Sequence, residues 1–269
     1  MSRILTAFTL VLAVAAWASA QPPAEQKTPE NVNKAKEVVS AHLAKINGKN
    51  ATIVWINDDS LTKTFPKHVF LAVRFRIYPV AMQMPEGMKP SNIFAVKDGK
   101  FEQVKDAKAL EAFFKANATV PEKKQAQIDA ARSWLWLSQE FVQDGFYKFE
   151  ILDKEIKVDL AASLESFIRA RAIVKDGGNG EIAILMRVQP EGKIASVTDN
   201  TKVKPGPRPI CQATKLLDPD PVVRKMAEAD LLYMGLAARD YIMEQRATAS
   251  PELRDAIDRV WEKIVKNGW

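Results

Sequence analysis

The chain twice places a helix ahead of a run of short strands, at a nearly fixed spacing, and that order limits the folds open to it. The clearer instance runs from Pro121 to Lys202. Pro121 and Glu122 open a helical pattern in which Ala126, Ala130, Ala131, Trp134, Leu135, Leu137, Phe141 and Val142 spread over an arc of roughly 200° at ~100° per residue. A surface helix shows a narrower stripe, so this one is expected to be covered on two sides. Trp136 falls outside the arc and is read as packing under a loop or against the other module. Asp144-Gly145 closes the helix. The segments Phe146–Leu152, Glu155–Leu160, Leu164–Lys175, Glu181–Val188 and Lys193–Thr198 follow, rich in β-branched and aromatic residues and separated by turn chemistry. Connections this short join antiparallel neighbours, because a parallel pair needs a crossover of a dozen residues or more.

The earlier instance starts at Thr28-Pro29, with Val32, Ala35, Val38, Val39, Leu43 and Ile46 at helical spacing and a stop at Asn47-Gly48. Strands are expected over Thr52–Ile56, His68–Tyr78 and Ile93–Val96. The last is joined by Asp98-Gly99 to Phe101–Val104 in a hairpin. The turn around Gly99 aligns with that around Gly192 at an offset of 93, and Arg74/Arg76 align with Arg169/Arg171 at 95. We read an internal duplication, giving an α+β fold of two helix-plus-antiparallel-meander modules, residues 29–120 and 121–201. This order resembles the cystatin-like architecture. The resemblance implies a curved sheet wrapped on a helix and does not extend to protease inhibition, because the Gln-x-Val-x-Gly loop is absent: Gln189-Pro190-Glu191-Gly192 does not match it.

Residues 202–215 carry Pro205, Gly206, Pro207 and Pro209 and read as an extended linker unable to continue a sheet. Residues 216–269 change character. Asp220-Pro221 opens one helix, Gly235 ends it, Ala237–Arg246 forms a second, and Ser250-Pro251-Glu252 opens a third. The run Leu217-Asp218-Pro219-Asp220-Pro221-Val222-Val223-Arg224, with Ala227, Leu231, Gly235, Ala238 and Ile242, is similar to a HEAT-type helical repeat unit, and Ser250–Arg254 to the start of the next. The resemblance implies an accessory segment of an exported bacterial protein, docked on the preceding modules or on a partner. Repeats of this kind usually need three or more copies to bury a core, so this segment is expected to rely on docking.

Residues 1–20 read as a secretory signal: Arg3, an apolar run from Leu5 to Trp17, then Ala18-Ser19-Ala20. Residues 21–28 read as a disordered polar leader. The expected location is secreted or periplasmic, with no membrane span after the signal. Cys211 is the single cysteine, so an internal disulfide is impossible, and the thiol is expected to be buried. The net charge of +6 fits weak attraction to anionic surfaces and gives no reason to expect nucleic acid as a partner.

Chemistry is sparse. His42 and His68 lie on different elements and outside any metal-ligand spacing, and neither a cofactor nor a metal is expected. Asp58-Asp59 and Asp218/Asp220 sit where short acids cap turns and helices. The candidate binding face comprises Arg74, Arg76 and Tyr78, their counterparts Arg169 and Arg171, and Trp136. Alternation along a strand puts each arginine pair on one side, either as the solvated face of a one-sided sheet or as a surface that forks carboxylates or phosphates. The leading functional reading is a non-enzymatic binding or assembly protein of the cell envelope, its partner a protein or an anionic polymer. A small-ligand carrier, with its cavity between curved sheet and helix, comes second, and an enzyme without a recognisable motif third.

Overall fold

The computed structural model describes residues 29–210 and 212–267. The signal, the leader and Cys211 lie outside the described residues. The fold is α+β, with two antiparallel sheets followed by helices.

Helix α1 (Glu30–Lys45) buries Val32, Ala35, Val39 and Leu43, spaced three or four residues apart on one stripe. Sheet A is the meander β1 (Thr52–Trp55), β2 (Val69–Arg74), β3 (Ser91–Lys97) and β4 (Lys100–Val104). Alternation splits it into two buried faces. Leu71, Val73, Phe94 and Val96 meet α1. Phe70, Ala72, Ile93, Ala95 and Val104 enter a larger core on the other side. That core takes in α2 (Asp59–Thr64), α3 (Ala107–Asn117), α4 (Lys124–Ser138) and sheet B.

Sheet B contains β5 (Lys148–Ile151), β6 (Lys157–Leu160), β7 (Ser166–Asp176), β8 (Gly178–Val188) and β9 (Ile194–Pro205). The short β5 and β6 lie end to end along one edge of β7. Ile168, Ala172, Ile182 and Met186 face α4 and are fully buried. Trp134, Leu135 and Leu137 of α4 are fully enclosed as well, so the helix is covered on two sides, as the wide apolar arc requires. Trp134 also donates its Nε1–H to Asp199 on β9 at 2.9 Å. The layers run α1, sheet A, the α2–α4 layer, sheet B, and nothing among the described residues covers the far side of sheet B.

Several expected boundaries move, each for a local reason. The second strand stops at Arg74 instead of running to Tyr78. Beyond it only Phe75 N–H finds a sheet-like partner, Pro90 O, before the chain turns back with Met82 N–H on Arg76 O. Arg76 and Tyr78 therefore lie on a loop. The expected linker also contributes to sheet B: β9 runs through Lys202–Lys204 to Pro205, opposite Glu181 back to Gly178. Pro205 is tolerated because it closes an edge strand, where its missing N–H is not needed. The turn before β8 is tight. A Cβ on Gly177 would lie 2.1 Å from Phe146 O, which together with its positive φ makes glycine necessary there.

A separate core holds the C-terminal helices α5 (Pro221–Met234), α6 (Arg239–Thr248) and α7 (Pro251–Asn267), with Phe146 of the α+β body packed against it. Asp220 caps α5 by accepting from Val222 N–H at 2.8 Å. Arg208 fastens the approach to this segment. Its side chain is 6% exposed, is ion-paired to Asp144, and lies over the rings of Phe146 and Tyr147.

Candidate binding site

The six residues singled out from sequence do not share one surface. Arg74, Arg76 and Tyr78 gather where sheet A meets the C-terminal helices, Arg169 and Arg171 sit on the bare face of sheet B, and Trp136 packs against the main core with its Nε1–H enclosed and unpartnered. The expectation that Arg74 lies on a solvated outer face is overturned. Its neighbours on that side, Phe70 and Ala72, point into the main core, because the second half of the chain covers this face of sheet A.

Every one of the four arginines is ion-paired. Arg74 holds Glu140 through two nitrogens, with Nε at 3.0 Å, and Ser91 Oγ donates to the same carboxylate at 2.6 Å. The Glu140 side chain is 7% exposed against 34% for Arg74, so this pair ties sheet A to the turn that follows α4. Arg76 bonds Glu244 of α6 at 2.8 Å and stands 5.0 Å over the Tyr241 ring. On sheet B, Arg169 pairs with Asp159, and Arg171 with Glu155 and Glu181. Bound carboxylates on β6, β8 and the preceding turn make this a solvated, charge-balanced face. A shallow groove runs along it over Ala183 and Leu185.

The junction is more concave. A cavity of about 380 Å³ opens between the end of β2, the Gln143–Phe146 turn and α6. Arg74, Arg76 and Tyr78 are among its polar groups, together with Asn50, Thr52, Gln143 and the acidic Asp240, while Phe75, Met82, Phe146, Met234 and Tyr241 give it apolar and aromatic walls. The Phe146 ring meets Tyr78 edge-on at 5.8 Å and stacks on Tyr233 at 6.1 Å, so one side chain contacts both bodies. Burial holds the Tyr241 phenol above its usual range, against the opposing hydrogen bond from Ala213 N–H and the nearby Arg76, and it stays protonated. The sequence reading missed Phe146 and Tyr241. It placed Phe146 in a strand, although the preceding Asp144-Gly145 turn was the available sign that the ring could project sideways.

Comparison with family models, curated proteins and solved structures finds no match.

A wider depression of about 590 Å³ lies beside α2. Asp58 caps that helix, accepting from Ser60 N–H at 3.0 Å, while Arg132 of α4 bridges Asp58 and Asp153. Partial burial pushes the Asp58 carboxyl up, but hydrogen bonds from Arg132 and Ser60 outweigh it and leave the group below its ordinary value. These aspartates are used in capping and tethering, as short acids at turn positions were expected to be. Among the described residues no group of three or more His, Cys, Asp or Glu side chains is placed to hold a metal ion, and no helix is long and apolar enough to cross a membrane. His42 lies against Phe94 and Phe101, and His68 against Phe65, Phe70 and Phe113.

Proposed function

We propose that this is an exported, non-enzymatic binding protein that acts in assembly at the cell envelope, and that its C-terminal helices hold the partner. One observation carries the reading. Helix α5 is apolar on two opposite stripes: Ala227, Leu231 and Met234 enter the segment's core, while Val222, Met226 and Tyr233, spaced four and seven residues apart, stay exposed, as does Leu236 beyond the break at Gly235. Val222 is 63% exposed. A second apolar stripe of this kind is what a helical-repeat unit buries against a neighbouring unit. The occupant is accordingly a helix of another protein, and the HEAT-like identity of the segment belongs to this proposal. So does the view that the two halves are copies of one cystatin-like design. The matching order of helix and meander supports it.

The ion pairs of Arg169 and Arg171 on the open face of sheet B favour a protein partner over an anionic polymer there. The carrier reading has less support, because Trp134, Leu135 and Ile168 fill the space between helix and sheet where its cavity was expected. The test is a pull-down from envelope extracts with the chain and with Met226→Glu. A protein retained by the first and lost by the second supports the proposal. Identical retention by both contradicts it.

A further inference from the structure

We propose that the junction cavity is a binding site for a small organic anion: a carboxylate or sulfonate carried on a flat apolar body. The cavity uses other residues than the exposed stripe on α5, although Tyr233 of that stripe stacks on Phe146, which walls the cavity.

The guanidinium of Arg74 spends Nε and Nη2 on Glu140, and that of Arg76 spends Nη1 on Glu244 and Nε on a long contact to Val80 O. Nη1 of Arg74, Nη2 of Arg76 and the Tyr78 hydroxyl have no hydrogen-bond partner among the described residues, and all three side chains line the same cavity, whose wall also carries the carboxylate of Asp240, so the anion is placed at the guanidinium edges and away from that residue. A guanidinium with one edge occupied still offers N–H donors in a fixed plane, and a carboxylate or sulfonate accepts from such edges with charge assistance. Glu140 sets the orientation of Arg74 in advance, and the Tyr241 ring under Arg76 sets the other, so little side-chain freedom is lost on binding.

The walls decide the rest of the ligand. Phe146, Met82 and Met234 surround the polar end with aromatic and thioether surface, which suits a planar body and rejects a sugar or a strongly hydrated dianion. About 380 Å³ falls within the lower part of the range for small-molecule sites and holds a bicyclic ligand. The site is built by both bodies of the protein, because Tyr241 and Met234 come from the helical segment and Arg74 and Tyr78 from the α+β body. Occupancy therefore also fastens the two together.

The probes are 8-anilinonaphthalene-1-sulfonate, followed by fluorescence, and 2-naphthoate against its neutral analogue 2-naphthalenemethanol, followed by calorimetry on the full chain. Saturable binding of one anion per chain is expected, with the neutral analogue at least about tenfold weaker. Arg76→Gln lowers affinity by about the same factor, and Arg169→Gln on the far sheet leaves it unchanged. Because Arg76→Gln also removes the tie to α6, Glu244→Gln is the deciding variant. It breaks the same ion pair while freeing the guanidinium, and is expected to bind the anion as well as or better than the parent. Equal affinity for the neutral analogue overturns the proposal. So does loss of binding in Glu244→Gln equal to that in Arg76→Gln, or failure of any anion to saturate below 1 mM, the weak end of small-ligand affinity at about −4 kcal/mol.

Discussion

Sheets A and B are built alike and used differently. Each is an antiparallel sheet that follows a helix, and the arginines its strands carry, Arg74 in sheet A and Arg169 and Arg171 in sheet B, are turned away from that helix. In sheet A the face turned away is roofed by the second half of the chain, so Phe70, Ala72 and Ile93 are buried and Arg74 grips an enclosed carboxylate. In sheet B nothing among the described residues lies over the corresponding face, and Arg169, Leu185 and Arg187 stand in solvent. A matching sequence pattern therefore serves packing in one place and solvation in the other. What decides between them is the layer that comes next.

The largest effect expected on this comparison is at the shared roof. Trp134→Ala empties a fully buried site that both sheets depend on, and should cost about 3–5 kcal/mol in urea unfolding. Amide exchange should accelerate in sheets A and B together. Acceleration in sheet B alone would divide the core that the account treats as continuous.

Next come the aligned arginines. Arg74→Ala leaves Glu140 buried and unpaired and should cost about 2–4 kcal/mol, less than for a fully enclosed pair because Arg74 is itself one-third exposed. Adding Glu140→Gln should recover most of the loss. Arg169→Ala removes a solvent-exposed pair and should change stability by less than about 1 kcal/mol. Equal costs at the two positions would erase the distinction between the sheets.

The smallest effect concerns pH. Asp58 links α2, on the sheet A side, to α4 through Arg132, and its carboxyl lies below 3.8 in the folded chain. The unfolded chain binds the proton first, so the stabilisation is present above pH 3.8 and is lost as pH falls through the lower, folded value. Asp58→Asn should flatten that part of the acid limb of stability against pH. An unchanged profile would show that Arg132 does not act through this carboxylate.

Much of the scaffold could be read from local chemistry. Asp98-Gly99 forms the expected hairpin turn, with φ of 49° and 72°, and Asp220-Pro221 opens α5. The wide apolar arc from Ala126 to Val142, with Trp134 and Leu137 in it, pointed to a helix covered on two sides. Helix α2 escaped notice because six residues, two of them threonine, carry too little periodicity to register. The extension of β9 into a proline-rich stretch was hidden because only the partner strand, Gly178–Gly180, makes it a strand. The candidate site was harder still. Its ties span long separations, such as Arg74 to Glu140 and Arg76 to Glu244, and nothing local to any of these residues names its partner.

The most direct test of the covered-versus-bare distinction is thiol reactivity at one position on each of the two faces, in a chain with Cys211 replaced by serine. Ala72→Cys lies on the roofed face, where the native residue is 0% exposed, and Leu185→Cys lies on the bare one, where it is 41% exposed. We predict that a maleimide modifies Leu185→Cys at close to the rate of an unhindered thiol and leaves Ala72→Cys untouched until the chain unfolds. Rapid native-state modification of Ala72→Cys, or protection of Leu185→Cys in the monomer, would contradict the account.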